Sequence, residues 1–449
     1  MAVERRPPIP PGPWLVVGLE RSGAACARAL WARGEPVIGV DSGEPSQAEA
    51  LRHEGIEIST ASDGVEELER ARAVVRSPGV PNEAAVLVAA RAAGIPIYSE
   101  LELGWRMLES PFVAVTGTNG KTTTVELLGE IWRAAGRPVA VAGNVGTAVS
   151  SLVGTIGPET TVICEASSFQ LEDSVAFAPE LAVLLNIEPD HLDRHGDFDA
   201  YRRAKLELFA FQGADDTAIG SEAMLALAGG DGRRVRISVD AATEADVELR
   251  DGLICWRGTA LLAASEVRLR GAHNLENALC AAAAALSAGI EAEAVASGLR
   301  SFAGVEHRLE EIGSSGGVLW VNDSKATNVA SAVAALAAFQ QPVLLIAGGQ
   351  AKGQEFLTLA EAAAASVRAA FLIGEDAGLV AAAFDGLVEC SRCESLEAAI
   401  AAAAAAAEEG EVVLLSPACA SFDQFPGGFE QRGDEFRQIV QALPGFLGT

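Results

Sequence analysis

The stretch VAVTGTNGKTTT at residues 113–124 limits the possible folds of this chain more than any other. Apolar residues from Phe112 predict a buried strand. Two glycines then turn the chain, and Lys121 with three threonines opens a helix. The N–H groups of such a turn wrap phosphate oxygens, the lysine reaches the terminal phosphates, and the first hydroxyl suits Mg²⁺. Gly117, Thr118, Asn119, Gly120, Lys121, Thr122 and Thr123 are therefore candidates for a bound nucleotide. The general spacing wants glycine at Val115; here Gly117 serves a shorter GTNGKT loop. A chance glycine-rich turn is the competing reading.

Strand, loop and helix in that order imply an α/β fold with parallel strands. The length of 449 residues suggests three domains at about 150 residues each. WLVVG (14–18), a periodic helix and VIGVD (37–41) open the first parallel sheet. Its turn reads GLERSG, and Glu20 stands where a dinucleotide fingerprint needs glycine. This argues against a classical NAD site and leaves open a nucleotide-binding relative or a purely structural unit. Asp41 ends the second strand, either as an acceptor for a ribose or uracil group or as a solvated strand-end acid. TVICE (161–165), LAVLLNI (181–187) and a β-rich stretch near 233–270 belong to the second region. VLWVND (318–323), PVLLIAGG (342–349), AAFLIG (369–374) and EVVLLSPA (411–418) give the third the same strand–helix rhythm.

A net charge of −28 argues against a broad nucleic-acid or anionic-membrane surface. Anionic ligands then need local cations. Among 33 basic residues only Lys121, Lys205, Lys325 and Lys352 are lysines. Lysine is a compact charge whose amine can lose its proton and react; arginine is a permanently charged fork. Each lysine is thus a candidate for a place where guanidinium fails. The seven cysteines include one CxxC, Cys390 and Cys393, with no second pair to complete a zinc site. The first residues show no apolar export segment, and no stretch reaches membrane-spanning length, so a cytoplasmic location without membrane insertion is expected.

Glu165 ends a strand, where an acid can hold Mg²⁺ once a phosphate loop lies on a preceding strand. In NIEPDHLDRHGDFDAYRRAK (186–205), Leu192 replaces the glutamate that a zinc-protease HExxH requires. His191, between Asp190 and Asp193, suits a second divalent cation; a structural loop histidine is the alternative. RGAHNLEN, VEHRLE, NDSKATN, GGQAKG and LSPACASFDQF each follow a strand or open a helix, where parallel sheets place ligands.

TGTNGKTTT, NIEPDHLD, YRRAK, HNLEN, EHR and NDSKATN, in this order, resemble the Mur ligases of bacterial cell-wall synthesis. EASSFQLE and LSPACASFDQFPGGFEQRG resemble the branch that adds glutamate. The resemblance implies a Rossmann-like UDP-binding domain (1–100), a central P-loop ATPase α/β domain (101–304) and a Rossmann-like C-terminal domain (305–449) that brings the amino acid. It implies ATP-dependent joining of D-glutamate to UDP-N-acetylmuramoyl-L-alanine through an acyl phosphate, with ATP and two Mg²⁺ ions, by a monomer that binds no nucleic acid. It makes Lys205 a carbamylated lysine, because CO₂ adds to an amine and not to a guanidinium. Thr122 and Glu165 resemble ligands of one Mg²⁺, His191 and Lys205 those of the other. Asn144, Ser167 and Gln170 resemble contacts to the muramoyl substrate; Asn277, Arg308 and Asp323 resemble contacts to ATP. Lys325 and Thr327 correspond to residues between nucleotide and amino acid, and Lys352, Ser421, Phe422 and Phe429 to the D-glutamate pocket. Two departures stand out: Glu20 near the expected pyrophosphate, and the PGG insertion at 426–428 before Phe429. The rivals are a folylpolyglutamate-synthase-like ligase and a non-catalytic nucleotide-gated binding protein.

Overall fold

The computed structural model describes residues 6–240, 243–269 and 271–448, apart from the Asp193 side chain. Arg270, which opens the RGAHNLEN stretch, lies outside them.

Alternation along the first strand shows how its sheet is covered. Trp14 and Val16 pack on one face with Cys26 and Leu30; Leu15 and Val17 pack on the other with Val86 and Leu87. Burial on both faces suits a parallel sheet. The strands run in the order Glu57–Ser59, Val37–Val40, Trp14–Val17, Ala73–Arg76, Ile97–Ser99, all parallel.

A second, nine-stranded sheet has the phosphate-loop strand Phe112–Thr116 in its parallel part. Thr161–Glu165 lies on one side and Leu181–Leu184 on the other, both parallel to it. Registers Val115↔Glu165 and Thr116↔Leu184 bring the carboxyl ends of all three strands level. The β-rich stretch forms Arg233–Ser238 and Val247–Arg250, which are parallel, and then Leu253–Trp256 and Thr259–Ala263, which are antiparallel. Phe112, Ala114, Cys164, Ala182 and Leu184 share one core with Trp105, Phe177 and Leu208. Each large apolar side chain buried this way contributes about 1.5–3 kcal/mol.

These two sheets belong to one compact unit, which extends to Val267 and includes Glu276–Phe302. A second unit takes Arg268–Leu275 and the residues from Ala303 onward. Its seven-stranded sheet places Val343–Gly348, Val412–Leu415 and Val318–Asn322 side by side and parallel. Leu345 and Leu414 face one core, Leu344 and Val413 the other. Seven consecutive alanines at 401–407, strong helix formers, end the helix Leu396–Ala406, and Ser395 accepts from Ala398 N at its start.

One strand is shorter than the sequence suggests. The apolar run to Ile187 predicts a longer strand, but pairing ends at Leu184. Asn186 leaves the sheet because its carbonyl accepts from Thr118 N (3.0 Å) and its side chain accepts from Asn119 N (2.8 Å). Among the described residues no helix is long and apolar enough to cross a membrane.

Candidate active site

The phosphate loop lies between the strand Phe112–Thr116 and the helix Lys121–Ala134. A helix start with free N–H groups attracts anions. Gly120 caps this helix at φ 84°, a conformation that favours glycine. A Cβ there would meet the Asn277 carboxamide, which would have to shift to make room for it. This contact brings Asn277 to the loop. Lys121 Nζ donates to the carbonyls of Gly117 (2.9 Å) and Thr118 (2.8 Å). Thr122 is buried, and the Thr123 hydroxyl is buried without a hydrogen-bond partner.

Glu165 is 2 % exposed. Asn144 Nδ2 donates to its Oε1 at 3.1 Å, while Oε2 is buried with no partner. Gly143, at φ 121°, lets the Glu165 backbone pass where a Cβ would collide. Ser167 and Gln170 form a reciprocal cap on the turn Ser168–Leu171: Gln170 N donates to Ser167 Oγ and Ser167 N to Gln170 Oε1. Gln170 Nε2 is buried and unpartnered.

Asp197 starts the helix Phe198–Ala210 by accepting from Ala200 N at 2.7 Å. Helical spacing puts Tyr201, Ala204, Lys205 and Leu208 on its buried face. Lys205 is 2 % exposed, donates to the Gly117 carbonyl at 2.7 Å, and sits 4.6 Å from the Tyr201 ring centre. Burial, then the charge of Lys121, holds its amine well below the usual lysine range; Asp190 and Glu165 pull the other way. Tyr201 is a site residue that sequence reading passed over. Its hydroxyl is 3.0 Å from Thr118 Oγ1. The signal was its position four residues before Lys205, one turn away on the same face. His191 is about half exposed, in left-handed backbone (φ 51°), with Nε2 3.6 Å from Asp190.

The same unit holds a cavity of about 670 Å³ at the carboxyl end of the first sheet. Asp41, Asn144, Gln170, Glu20 and Arg21 are among the residues lining it. Asp41 is occupied by backbone: Oδ2 accepts from Leu19 N (2.7 Å) and Oδ1 from Gly43 N (2.9 Å). Glu20 is exposed at the start of the helix Arg21–Ala32.

In the second unit, neighbouring strand ends gather the remaining candidates. Asp323 accepts from Ser416 Oγ (2.7 Å) and Leu309 N (3.2 Å). Burial pushes its carboxyl up to about 7, against the Ser416 bond and the Arg308 charge. Arg308 Nε is buried without a partner. Lys325 Nζ lies 4.8 Å from the Phe429 ring and Lys352 Nζ 5.4 Å from the Phe422 ring. Each of these lysines thus faces a phenylalanine. Phe429 falls in the first turn of the helix Gly428–Gln441, and its carbonyl accepts from Ser324 Oγ at 2.8 Å. Ser421 is buried, Phe422 is 60 % exposed, and Thr327 N donates to the Lys325 carbonyl.

Among the described residues no three His, Cys, Asp or Glu side chains gather as a metal cluster. Cys390 and Cys393 carry free thiols that donate to the carbonyls of Val388 and Ser391.

Three family models match the chain: the Mur ligase MurD-like N-terminal domain at residues 13–99, the Mur ligase middle domain at 115–285, and the Mur ligase glutamate ligase domain at 307–419. The chain belongs to the Mur ligase family. Among its relatives, the UDP-N-acetylmuramoylalanine–D-glutamate ligase of Pelotomaculum thermopropionicum is 41% identical over 448 residues, 96% of this chain and 97% of that protein. The enzyme of the same name from Bacillus subtilis is 37% identical over 442 residues, again 96% and 97%. The fold is shared with the UDP-N-acetylmuramate-alanine ligase of Thermotoga maritima (TM-score 0.61, 20% identity, 96% of this chain and 99% of that one). It is also shared with the MurF ligase of Thermotoga maritima in complex with ADP (TM-score 0.60, 16% identity, 90% and 95%).

Proposed function

We propose that this chain is an ATP-dependent ligase that joins D-glutamate to UDP-N-acetylmuramoyl-L-alanine in peptidoglycan precursor synthesis. The observation that carries this reading is the meeting of the phosphate loop with a buried amine, Lys205, at the shared Gly117 carbonyl. The relatives at 37–41% identity over 96% of the chain bear the name of that activity.

The reaction begins with attack of the alanyl carboxylate on the γ-phosphorus of ATP. The bond to the β-phosphate breaks, ADP leaves, and an acyl phosphate forms. The amine of D-glutamate then attacks the acyl carbon, the C–O bond breaks, and phosphate departs with loss of an amine proton. Anions must approach each other in the first step, so compact positive charge is needed. Lys121 supplies it by turning from its own loop carbonyls to the phosphates. Asn277, Arg308 and Asp323 are assigned to the nucleotide; Asn144, Ser167, Gln170 and Asp41 to the UDP-linked substrate. Lys325, Thr327, Lys352, Ser421, Phe422 and Phe429 are assigned to the joining end and the D-glutamate pocket. Residues 1–100, 101–304 and 305–449 are the corresponding functional domains.

The side chains suit Mg²⁺. The unpartnered Glu165 Oε2 and the Thr122 hydroxyl are hard oxygen donors for one ion. His191 and a carbamylated Lys205 are assigned to the other; burial moves the Lys205 amine toward its neutral form, and a neutral amine is the nucleophile that attacks CO₂. Bound Mg²⁺ would screen phosphate charge and orient the γ-phosphate. A cytoplasmic monomer is the proposed working form.

Incubation with ATP, UDP-N-acetylmuramoyl-L-alanine and D-glutamate should release phosphate and amide product in equal amounts. Turnover with a folate substrate alone would favour the polyglutamate-ligase rival. Nucleotide binding without turnover would favour a binding protein.

A further inference from the structure

Arg76 ends the strand Ala73–Arg76 and is 1 % exposed. This buried guanidinium is not among the residues assigned to substrate, nucleotide or metal. Its Nη2 donates to the Phe169 carbonyl and to Glu172 Oε2, each at 2.9 Å. Its Nε lies 2.6 Å from Asp173 Oδ2, and Nη1 donates to Asn82 Oδ1. Asn82 Nδ2 closes the ring by donating to Glu172 Oε1 at 2.6 Å. Burial opposes the charge of Glu172, yet its carboxyl lies below the ordinary range because Arg76 and Asn82 donate to it.

The partners span three pieces of the site. Ser77 through Pro81 follow Arg76 and line the 670 Å³ cavity, and Ser77 Oγ donates to the Gly18 carbonyl at 2.6 Å. Phe169, Glu172 and Asp173 flank Gln170, which lines the same cavity. The Phe169 ring stacks on His195 (5.2 Å, 7°) and meets His191 edge-on at 5.0 Å. A second arginine joins the same pieces: Arg194 Nη2 donates to the Val80 carbonyl at 2.7 Å, with its guanidinium 5.2 Å from the Phe169 ring.

We propose that Arg76 is a positioning residue that locks the cavity wall 77–81, with the adjoining Asn82, to the turn carrying Gln170 and, through Phe169, to the histidines 191 and 195, and so sets affinity for the UDP-linked substrate. The proposal rests on the ligase reading for the identity of that substrate. Lysine at this position keeps the charge but lacks the fork that donates to three acceptors while it pairs with Asp173.

The test compares the wild-type chain with Arg76→Lys and Asn82→Ala. It measures KM for each of the three substrates and calorimetric binding of UDP alone. Arg76→Lys should raise the KM for UDP-N-acetylmuramoyl-L-alanine and the Kd for UDP about tenfold. Asn82→Ala should raise both about threefold, and the KM values for ATP and D-glutamate should stay within about twofold. Unchanged UDP affinity, or three KM values rising together, overturns the proposal and leaves a merely structural ion cluster. If Arg76→Lys does not fold, the Kd of Asn82→Ala decides alone. Wild-type chain that binds UDP but makes no product would refute the ligase reading, while the UDP Kd values would still judge the positioning role.

Discussion

Lys205 Nζ donates to the carbonyl of Gly117 at 2.7 Å, so an amine from the helix Phe198–Ala210 and the phosphate loop meet at one atom. The same carbonyl accepts from Lys121 Nζ at 2.9 Å. Two amines on one acceptor repel when both are charged, and burial, then the charge of Lys121, holds the Lys205 amine well below the usual lysine range. Lys205→Ala should lower kcat by about a thousandfold, with partial rescue by formate or acetate. Lys205→Arg should lose as much and gain nothing from added anions. Full activity in Lys205→Ala would remove the lysine from the mechanism.

Gly120 offers a backbone test. Its φ of 84° and the adjacent Asn277 carboxamide both resist a side chain. Gly120→Ala should destabilise the fold by about 1–3 kcal/mol and weaken ATP binding as well. Denaturant unfolding and nucleotide titration check the two effects. An unchanged unfolding midpoint would contradict the close packing.

Asp323 predicts a pH effect of definite sign. Its carboxyl is raised in the folded chain to about 7, so the folded state holds this proton after the unfolded state has lost it. Its contribution is therefore greatest below about pH 4 and declines as pH rises to about 7, by an amount on the order of 4 kcal/mol. The difference in unfolding free energy between wild type and Asp323→Asn, followed from pH 4 to 7, should move in favour of the variant. A difference that stays flat would show that Asp323 titrates normally.

Lys352 faces Phe422 from the turn that follows the strand Val343–Gly348, with φ 50°. Loss of a charged contact to a substrate carboxylate costs about ten- to a hundredfold in affinity. Lys352→Met should raise the KM for D-glutamate by that factor and leave the KM for ATP unchanged. Steady-state kinetics with each substrate varied in turn would show it; an effect on ATP alone would place Lys352 elsewhere.

Much of the fold was legible because parallel strands are buried on both faces. Runs such as WLVV and VLLIAG carry their own signal, and they form Trp14–Val17 and Val343–Gly348. The end of the strand Leu181–Leu184 was not legible, since apolar Leu185 and Ile187 continue the pattern while Asn186 is drawn to the phosphate loop. In the site, Lys121 and Lys205 stood out by their rarity among arginines. Asp41 did not reveal that its oxygens serve Leu19 N and Gly43 N, because a strand-end acid reads the same in either role. Arg76 was hidden by abundance, one of many arginines, and only its burial against Glu172 and Asp173 sets it apart.

The most direct test is the electron density at Lys205 Nζ in crystals grown with Mg²⁺, a non-hydrolysable ATP analogue and bicarbonate. A carbamylated Lys205 would show a planar three-atom extension on the amine, directed to a metal ion shared with His191. A bare amine still bonded to the Gly117 carbonyl, with nucleotide and metal in place, would contradict the carbamate role.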